Sequence, residues 1–568
     1  MGLIATAIAD GVNIERGADT PANDSTYAQD AIETQRDSIL KVGASDGSGL
    51  VRGVHVFQGD AYAFRNNTLG TECLMWKSTT DGWVQQDLGN RVSFTLGTTE
   101  FLEGETLTQS GTTSIINRVI VQSGTWAGND AAGYLIIGDI TSSPYAVGVA
   151  TSASGSATLS GAETANTLQP GGRFEFENYN FYGTTFTKRM YGVDGVGTAF
   201  EWDGSTFVPF FTGNIIDAPI HLAVNEYHLQ LVFANGSLQN SSTGLPYLWA
   251  GLGAAEIGCG DDIIGLKKEV GVALAIVCRN RTLELQGKNT DAQPWDLKTI
   301  SEESGGIEWT VQRIGKTRFL DDRGFTELRA VQAYGDFDSS TYSQLIEPLI
   351  QAKKESAVSS IIVKSKNQLR TFFNDGTGII ATFNDNKLAG FTTIRYINAG
   401  GTSIPVRCTA NGESNSGSEI MFFGSDDGYV YQMDKGPSFD GGAVDATFVL
   451  VYNNLKTPSY DKQFKKVVIE ADGSSGTSIE YNVLLDYSSG RAPAGITLQE
   501  TLAAGGAYWN DAVWNAFNWA AEDVTQIEGN IDGVGRNIGL QISSSGTYVE
   551  PHTLYGVTYH YIKRKLVR

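Results

Sequence analysis

The chain has 568 residues and a formal net charge of −22, from 63 acidic and 41 basic residues. A chain of this length exceeds one compact core, so we expect two to four domains. A protein that wraps DNA or RNA normally carries a basic surface, and the acidic balance excludes a large footprint of that kind. Frequent glycine (67) and scarce proline (13) are typical of many tight hairpins.

The cysteines and the apolar runs further limit the class of protein that is expected. Cys73, Cys259, Cys278 and Cys408 form no CxxC pair, so neither a zinc site nor a disulfide framework is predicted. No run of about 18 apolar residues occurs, and no membrane-spanning segment is expected. The opening run LIATAIA (3–9) is short and no positive charge precedes it, which does not fit a secretory signal.

Residues 1–50 are expected to form an N-terminal arm and a helix. The first 26 residues are polar and rich in turn-forming types. The following segment, YAQDAIETQRDSILKVG (27–43), has a partial apolar stripe, capping residues before it and Gly43 at its end, and this pattern predicts a helix.

From Val51 onward one pattern recurs: an alternating strand, a turn of Gly, Asn or Asp, a second strand and an aromatic residue. It occurs at 51–64, 189–211, 270–287, 314–331, 358–383 and 418–434. Units of this kind at a spacing of roughly 40–50 residues are typical of propeller blades, which must pack around an axis to bury both faces. The predicted fold class is all-β, a β-propeller with its first blade at 51–91 and its remainder at 169–446.

Two further regions depart from this pattern. Residues 92–168 contain almost no Lys or Arg and include the alternating strand INRVIVQSG (116–124), which predicts a small β module inserted into the propeller chain. Residues 447–568 carry longer strands and are expected to form a β-rich C-terminal region that closes the propeller or forms a platform. A second helix is predicted at 342–357, with Pro348 beginning or kinking it.

Histidines suggest one candidate metal or catalytic cluster. His221 and His228 flank Glu226. An offset of seven along one strand places the two rings on opposite faces, so ordinary sheet and surface positions are favoured over a zinc pair.

Aspartate doublets suggest a second kind of site, because paired carboxylates can bind calcium or act as the acid and nucleophile of a glycosidase. The doublets are Asp261–Asp262, Asp321–Asp322 and Asp426–Asp427. Each is expected in a hairpin turn, where Asx-turn chemistry at a blade corner is the favoured interpretation.

Three tryptophans, Trp509, Trp514 and Trp519, recur every five residues near the C-terminus. They suggest either a carbohydrate platform or a loop stapled to the core or to a neighbouring subunit, and the staple is favoured. No GxSxG nucleophile elbow occurs. We therefore predict no catalytic, cofactor-binding or metal-binding residue, no cofactor, and no enzyme activity.

Several phrases, in their order along the chain, resemble the tail tubular protein, or nozzle, of short-tailed bacteriophages. They are STTDGW (78–83), RFEFENYNF (173–181), MYGVDGVGTAFEWDG (190–204), APIHLAVNEYHLQLVFANGSLQNSSTGLPYLW (218–249), RFLDDRGFTEL (318–328), KNQLRTFF (366–373) and the closing PHTLYGVTYHYIKRKLVR (551–568). The resemblance covers most of the chain from about Val51 onward, and the N-terminal arm matches least well.

The resemblance implies a structural virion protein of the tail, assembled in the host cytoplasm. Such a protein forms a homohexameric ring below an adaptor ring, contacts tail fibres or spikes, and passes phage DNA through its lumen during ejection. It implies no catalytic residues. The basic cluster Lys563, Arg564 and Lys565, with Arg568, is expected at a subunit or adaptor contact, because basic residues at the narrowest point of the lumen would retain DNA.

Two alternatives remain open at this point. One is a propeller that binds or cleaves glycans on a virion or cell surface, and the other is a lone receptor-binding spike. The oligomeric state separates the three functions.

Overall fold

The structure is a computed structural model. It describes residues 4–6, 13–14 and 41–566, apart from 44–45, 80–81, 184–186, 250–253, 270, 272, 290–293, 332–335, 385, 399, 415–416, 436–438, 441, 473–477, 487–496, 502–524 and 547–552. The predicted arm, residues 27–40 of the predicted helix and the three C-terminal tryptophans thus lie mainly or wholly outside the described residues.

The chain divides into two compact units. The first unit comprises residues 41–362 and 407–430, and the second comprises the described parts of 1–40, 363–406 and 431–568. The chain begins in the second unit with two short strands, β1 (Ile4–Thr6) and β2 (Asn13–Ile14).

The first unit opens with a four-stranded antiparallel meander. Its strands are β3 (Gly47–Phe57), β4 (Asp60–Asn67), β5 (Cys73–Thr79) and β6 (Gly82–Gln85), each paired with the next. The turn between β3 and β4 has positive φ at Gln58 and Gly59. A two-residue turn of this conformation matches the right-handed twist of the strands, which is why the chain reverses here.

A seven-stranded sheet follows, within the segment expected as an inserted module. Its strands are β7 (Asn90–Thr99), β8 (Thr106–Gln109), β9 (Thr112–Ser123), β10 (Ala131–Ile137), β11 (Gly148–Thr151), β12 (Ser156–Leu159) and β13 (Thr164–Ala165). Strand β10 pairs with both β9 and β7, so the sheet closes on itself. We call this sheet the barrel module; Val92, Phe94, Leu107 and Leu135 are in its core. Its standing as an insertion into a propeller chain stays a prediction.

Four more four-stranded antiparallel meanders follow the barrel module. They are β14 (Glu175–Tyr179), β15 (Arg189–Val193), β16 (Phe200–Trp202) and β17 (Phe207–Pro209); β18 (His221–Asn225), β19 (His228–Phe233), β20 (Ser237–Asn240) and β21 (Ala255–Gly258); β22 (Ile263–Lys268), β23 (Leu274–Cys278), β24 (Thr282–Gln286) and β25 (Asp296–Ser301); and β26 (Gln312–Ile314), β27 (Lys316–Asp321), β28 (Gly324–Val331) and β29 (Asp336–Thr341). A 3₁₀ turn, Ala234–Gly236, joins β19 to β20. Strand β23 is buried along its whole length, which explains its continuous apolar sequence, LAIVC.

The predicted helix at 342–357 is present but divided. A 3₁₀ turn (Gln344–Ile346) leads into α1 (Glu347–Lys353), and a second 3₁₀ turn (Lys354–Ser356) ends it. Pro348 lies in the first turn of α1, where its missing N–H has no intrahelical partner to lose. The proline therefore begins the helix and does not kink it.

The remaining strands are β30 (Ala357–Val363), β31 (Gln368–Phe373), β32 (Thr377–Asn384), β33 (Lys387–Arg395), β34 (Cys408–Glu413), β35 (Glu419–Gly424), β36 (Val430–Gln432), β37 (Val444–Val449), β38 (Tyr460–Asp472), β39 (Ser478–Leu485), β40 (Thr497–Thr501), β41 (Thr525–Gly535), β42 (Ile538–Gly546) and β43 (Thr553–Leu566). Strand β37 spans the domain boundary expected at residue 447, and that boundary stays a prediction. All-β architecture is confirmed for the described residues.

The first strands of successive meanders lie side by side in the first unit. Contacts link each first strand to the next in a closed circuit. Strand β14 contacts β3 (Asn178 to the Val56 carbonyl, 2.9 Å), β18 contacts β14 (His221 to Glu175, 2.7 Å), and β22 contacts the end of β18 (Lys268 to Glu226, 3.2 Å). Strand β26 contacts the end of β22 (Arg313 to Glu269, 3.6 Å), both β26 and β34 contact the Ser360 carbonyl of β30 (Gln312, 3.1 Å; Thr409, 2.8 Å), and β34 returns to β3 (Cys408 to the Val51 carbonyl, 3.5 Å). This closed circuit is consistent with a propeller-like, β-rich fold.

The second unit contains larger sheets. Strands β31, β32, β33, β1, β37, β42, β39 and β40 are neighbours in that order, and β38 pairs with β41 on one side and β43 on the other. Apolar residues of β38, β39, β41 and β42 share one core, which includes Phe464, Val467, Ile479, Tyr481, Ile527 and Leu540. The two sheets therefore pack face to face as two layers.

Candidate functional site

A cluster of polar side chains lies where the first strands of the circuit meet. We call it the axial cluster; its members are Arg173, Glu175, Glu177, His221, Lys267, Glu308 and Trp309. Glu175 and Glu177 are two apart on β14, so the alternation of the strand places both on the same face. Arg173 lies just before β14, and the other members come from the start of β18, from β22 and from the segment before β26.

His221 is the centre of the axial cluster and is 2% exposed. Its Nδ1 donates to Glu175 Oε2 at 2.7 Å, while its Nε2 is 3.7 Å from Glu308 Oε1, beyond hydrogen-bond length. The imidazole packs against the Trp309 ring with centroids 5.1 Å apart. Lys267 Nζ approaches the second Glu175 oxygen at 3.6 Å. One carboxylate thus joins three successive first strands.

The two glutamates of β14 have opposite electrostatic settings. Burial acts to raise the pKa of Glu175, but the hydrogen bond from His221 and the positive charges nearby outweigh it, and the net shift is downward. Burial raises the pKa of Glu177, and the opposing effects of Lys267 and Lys188 are weaker. Of the two glutamates, Glu175 is therefore the one whose charged form the cluster favours.

Arg173 contacts elements on the far side of the circuit. Its guanidinium lies 3.8 Å from the centre of the Trp309 ring and donates to the carbonyl oxygen of Val358 on β30. Burial lowers the pKa of Arg173 to about 10. This value is still well above neutral pH, so the guanidinium stays protonated there. Arg173 precedes β14, whereas Trp309 and Val358 belong to meanders that are not adjacent to β14. The contact therefore crosses the circuit and closes its centre.

This geometry suits a structural role, in which the axial cluster holds the first strands in place. The second ring nitrogen of His221, which would have to take or give a proton in acid–base chemistry, is buried against Trp309 and Glu308. The charged groups of the axial cluster instead interact with one another across β14, β18 and β22. Its effect is to fix the relative positions of the first strands.

The two histidines occupy sheet positions, as the sequence favoured, but they do not share one strand. His221 begins β18 and His228 begins β19, so they lie on neighbouring strands of one hairpin and not on a single strand. Neither occupies a surface position, because both are buried. His228 Nδ1 donates to the Ser241 carbonyl at 2.6 Å, and burial lowers its pKa. The two rings make separate interactions.

Two of the three aspartate doublets lie in hairpin turns as expected. Asp322, after β27, accepts from Arg279 at 3.1 and 3.2 Å, and Asp426, after β35, accepts from Arg407 at 2.6 Å through each oxygen. The prediction is wrong for Asp261–Asp262, which connect β21 to β22, two strands of different meanders. There Asp261 accepts from the backbone and side chain of Asn280 at 2.7 and 3.2 Å.

A buried ion network that the sequence reasoning missed joins the barrel module to the β14–β17 sheet. Arg118 of β9 reaches Glu201 at 3.3 Å and Asp203 at 2.7 Å. Glu201 is 2% exposed and also accepts from the hydroxyls of Tyr182 (2.9 Å) and Tyr191 (2.8 Å). Arg118 is the single basic residue of 92–168 and lies within an alternating strand. This isolated charge was the feature of the sequence that could have indicated a buried ion pair.

Apolar packing surrounds this network. Ile120, Tyr134 and Ile136 of the barrel module belong to the same core cluster as Tyr191 and Val208 of the neighbouring sheet. The barrel module therefore has its own closed sheet but shares part of its core. Burial raises the pKa of both Tyr182 and Tyr191, so their hydroxyls stay protonated and keep donating to Glu201.

Within the described residues, no group of three or more His, Cys, Asp or Glu side chains is placed to hold a metal ion. None of the helices in the described ranges has the length and the apolar character to cross a membrane.

Comparison with known proteins gives only distant structural likenesses. No protein-family model matches the chain, and no curated protein matches it. Similar solved structures include BBS1N in complex with ARL6DN (8% identity, TM-score 0.33, 71% of this chain and 99% of that chain) and the computationally designed Ika8 protein (10%, 0.32, 70% and 99%). A chain of the mitotic checkpoint complex is also similar (11%, 0.29, 57% and 86%). Likenesses at these scores carry no argument about this chain.

Proposed function

We propose that this chain is a ring-forming structural subunit of a short phage tail, the nozzle through which DNA is ejected. The observation that carries the proposal is the succession of phrases resembling that family, taken together with the meanders on which they fall. The resembling phrases at 173–204 and 218–249 coincide with β14–β16 and β18–β20. In this proposal the subunits form a homohexamer in the virion tail, below an adaptor ring and in contact with fibres or spikes.

The closed circuit of first strands supports a β-propeller as the body of the subunit. Five complete four-stranded meanders take part, and β30 and β34 are the first strands of two further blades. The proposed propeller therefore has seven blades, of which the blade starting with β34 adjoins the blade starting with β3.

In this proposal the DNA path does not run along the axis of a single subunit. The contacts of Arg173 with Trp309 and with the Val358 carbonyl cross the circuit of first strands, which supports an axis too narrow for a DNA duplex. The path in this proposal runs through a lumen enclosed by several subunits. A net charge of −22 per subunit suits such a lumen, because an acidic wall confines DNA without binding its phosphates.

The C-terminal basic residues fit a contact with a neighbouring protein. Lys563 and Arg564 are exposed on β43, where Lys563 lies over the Tyr460 ring (5.2 Å) and Arg564 donates to Gln463 (2.6 Å). The side chains of Lys565 and Arg568 lie outside the described part of the chain. Exposed cations near an aromatic ring suit pairing with carboxylates of an adaptor or a second subunit.

Mass photometry of the purified full-length chain tests the proposal. Six copies of the 61.0 kDa chain give a particle of about 366 kDa. A trimer would favour the spike, and a monomer would favour the glycan-directed propeller. Either result at micromolar concentration, in buffers of low and of physiological salt, contradicts the nozzle.

A further inference from the structure

A cleft lies where the barrel module meets the β14–β17 sheet. Its volume is about 340 Å³, within the range of small-ligand sites, and its lining includes Arg91, Asn166, Gln169, Thr198, Phe211 and Asp217. These residues supply one cation, one carboxylate, amide and hydroxyl groups, and an aromatic ring.

Arg91 is held in position by neighbours that do not neutralise it. Its guanidinium lies 5.0 Å from the centre of the Phe211 ring and donates to Asn166 Oδ1 at 3.2 Å. Asn166 is 6% exposed, and its own amide donates to the Leu88 carbonyl at 2.9 Å, which fixes the acceptor. Among the described residues, no carboxylate lies within salt-bridge distance of Arg91. Four of its five N–H groups thus have no protein acceptor among the residues that the structure describes, and they are available to a ligand.

The environment of Arg91 makes its lack of a counter-charge costly. The side chain is half-buried, and burial lowers its pKa. A partly desolvated guanidinium gains most from a planar bidentate acceptor, and a carboxylate has that shape.

Asp217 provides acceptors on the same cleft. Its carboxylate receives the Thr212 backbone N–H at 2.8 Å and the Thr212 hydroxyl at 2.9 Å, one at each oxygen. Each oxygen keeps a lone pair that can accept a hydroxyl proton. A bare anion would be repelled by Asp217, whereas a ligand that also carries hydroxyl groups would be bound by it.

We propose that this cleft binds a hexuronate, the acidic sugar unit of carboxylated polysaccharides. The sugar carboxylate accepts from Arg91, its hydroxyls donate to Asp217 and exchange hydrogen bonds with Gln169 and Thr198, and its apolar face rests on Pro209 and Phe211. A neutral hexose would leave Arg91 without a counter-charge. This proposal stands independently of the ring, because every residue in it comes from one chain.

Isothermal titration calorimetry of the full-length chain tests the site, with D-glucuronate, D-glucose and acetate as probes. We expect glucuronate to bind at least about tenfold more tightly than either of the other two, because only it satisfies both Arg91 and Asp217. Arg91→Gln should weaken glucuronate binding by about tenfold or more. Arg52→Gln is the matched control, because Arg52 also donates to an asparagine side chain (Asn66, 3.0 Å) without lining the cleft.

A second variant keeps the test decisive if Arg91→Gln lowers the thermal midpoint. Thr164 is exposed on β13 and lines the cleft, so Thr164→Trp should occupy it while leaving Arg91 in place. We expect this variant to lose glucuronate binding and to keep the wild-type thermal midpoint. Equal affinity for glucose or for acetate, unchanged binding in both cleft variants, or no binding of glucuronate at 10 mM (roughly tenfold above an ordinary weak-ligand Kd) would overturn the proposal.

Discussion

The strongest test of the packing between the barrel module and its neighbour is Arg118→Met. The substitution keeps an unbranched side chain of similar length and removes the positive charge that reaches Glu201 and Asp203. Both acidic partners are buried or nearly so, with side chains 2% and 12% exposed. Leaving buried carboxylates without their cation is far more destabilising than removing an exposed ion pair.

The magnitude follows from the partners that remain. Breaking a buried ion pair typically costs 3–5 kcal/mol. Glu201 keeps the hydroxyls of Tyr182 and Tyr191 and has Arg189 Nε at 3.5 Å, so the loss should be at the lower end, about 3 kcal/mol. The third partner of Arg118, Glu103, is 54% exposed and contributes under about 1 kcal/mol.

Hydrogen exchange measured by mass spectrometry resolves this effect locally, which matters because a chain of two units does not unfold in one step. A loss of about 3 kcal/mol in the free energy of opening corresponds to more than a hundredfold faster exchange in peptides from β9 and β10. Arg52→Met is the control, because Arg52 pairs with Asn66 and the Gly172 carbonyl and forms no ion pair with a carboxylate in the described part of the chain. Exchange in β9 and β10 of Arg118→Met within threefold of wild type would refute this reasoning.

Three further predictions concern protonation, thiols and ion pairs. Burial lowers the pKa of His55 from 6.5 to about 4, so between these pH values the unfolded chain binds a proton that the folded chain does not, and stability should fall as the pH drops through this window. His55→Phe should reduce the fall of the thermal midpoint between pH 6.5 and pH 4 in scanning calorimetry, and an unchanged slope would contradict this assignment. All four cysteines are free and buried, and burial raises the pKa of each thiol. Ellman's reagent at pH 8 should therefore react with no thiol in the native protein and with four in denaturant, and rapid labelling of the native protein would contradict the close packing around them. Asp434 and Arg370 form a bidentate pair at 2.6 and 2.7 Å, and their side chains are only 6% and 3% exposed, so Asp434→Asn should lower the free energy of unfolding by about 3 kcal/mol. Asp322→Asn, at an exposed pair, should cost under about 1 kcal/mol, and equal shifts of the thermal midpoint for the two variants would refute this distinction.

Hairpins were predictable where turn residues carry the signal. Asp321 and Gly324 bound the turn between β27 and β28, and Gly59 follows Gln58 at the first turn of the chain. These residue types permit the backbone conformations that reverse a strand, so the sequence locates the turn. The all-β class follows from many such turns between alternating segments.

The hairpin that separates His221 from His228 lacks such a signal. Its two turn residues, Glu226 and Tyr227, both have positive φ (47° and 60°), although neither is Gly or Asn. The one turn-forming residue of this stretch, Asn225, is the last residue of β18 and is not at a turn position, so the stretch reads as one continuous strand with the two rings seven residues apart. The pairing of β18 with β19 overrides the local preference.

Long-range sites were beyond single-sequence reasoning for a different reason. Arg118 and Glu201 are 83 residues apart, and Glu175 meets His221 across 46 residues. No local period connects such positions. They become neighbours only when the meanders pack side by side and the circuit of first strands closes.

The central claim is a ring of subunits whose lumen, and not the axis of any single subunit, carries DNA. Cryo-electron microscopy of the purified full-length chain with a short DNA duplex tests it most directly. We predict six-fold rings in which each subunit has a filled centre at Arg173 and Trp309, with any duplex density confined to the shared lumen. Monomers, trimers, or duplex density through the centre of one subunit would contradict the account.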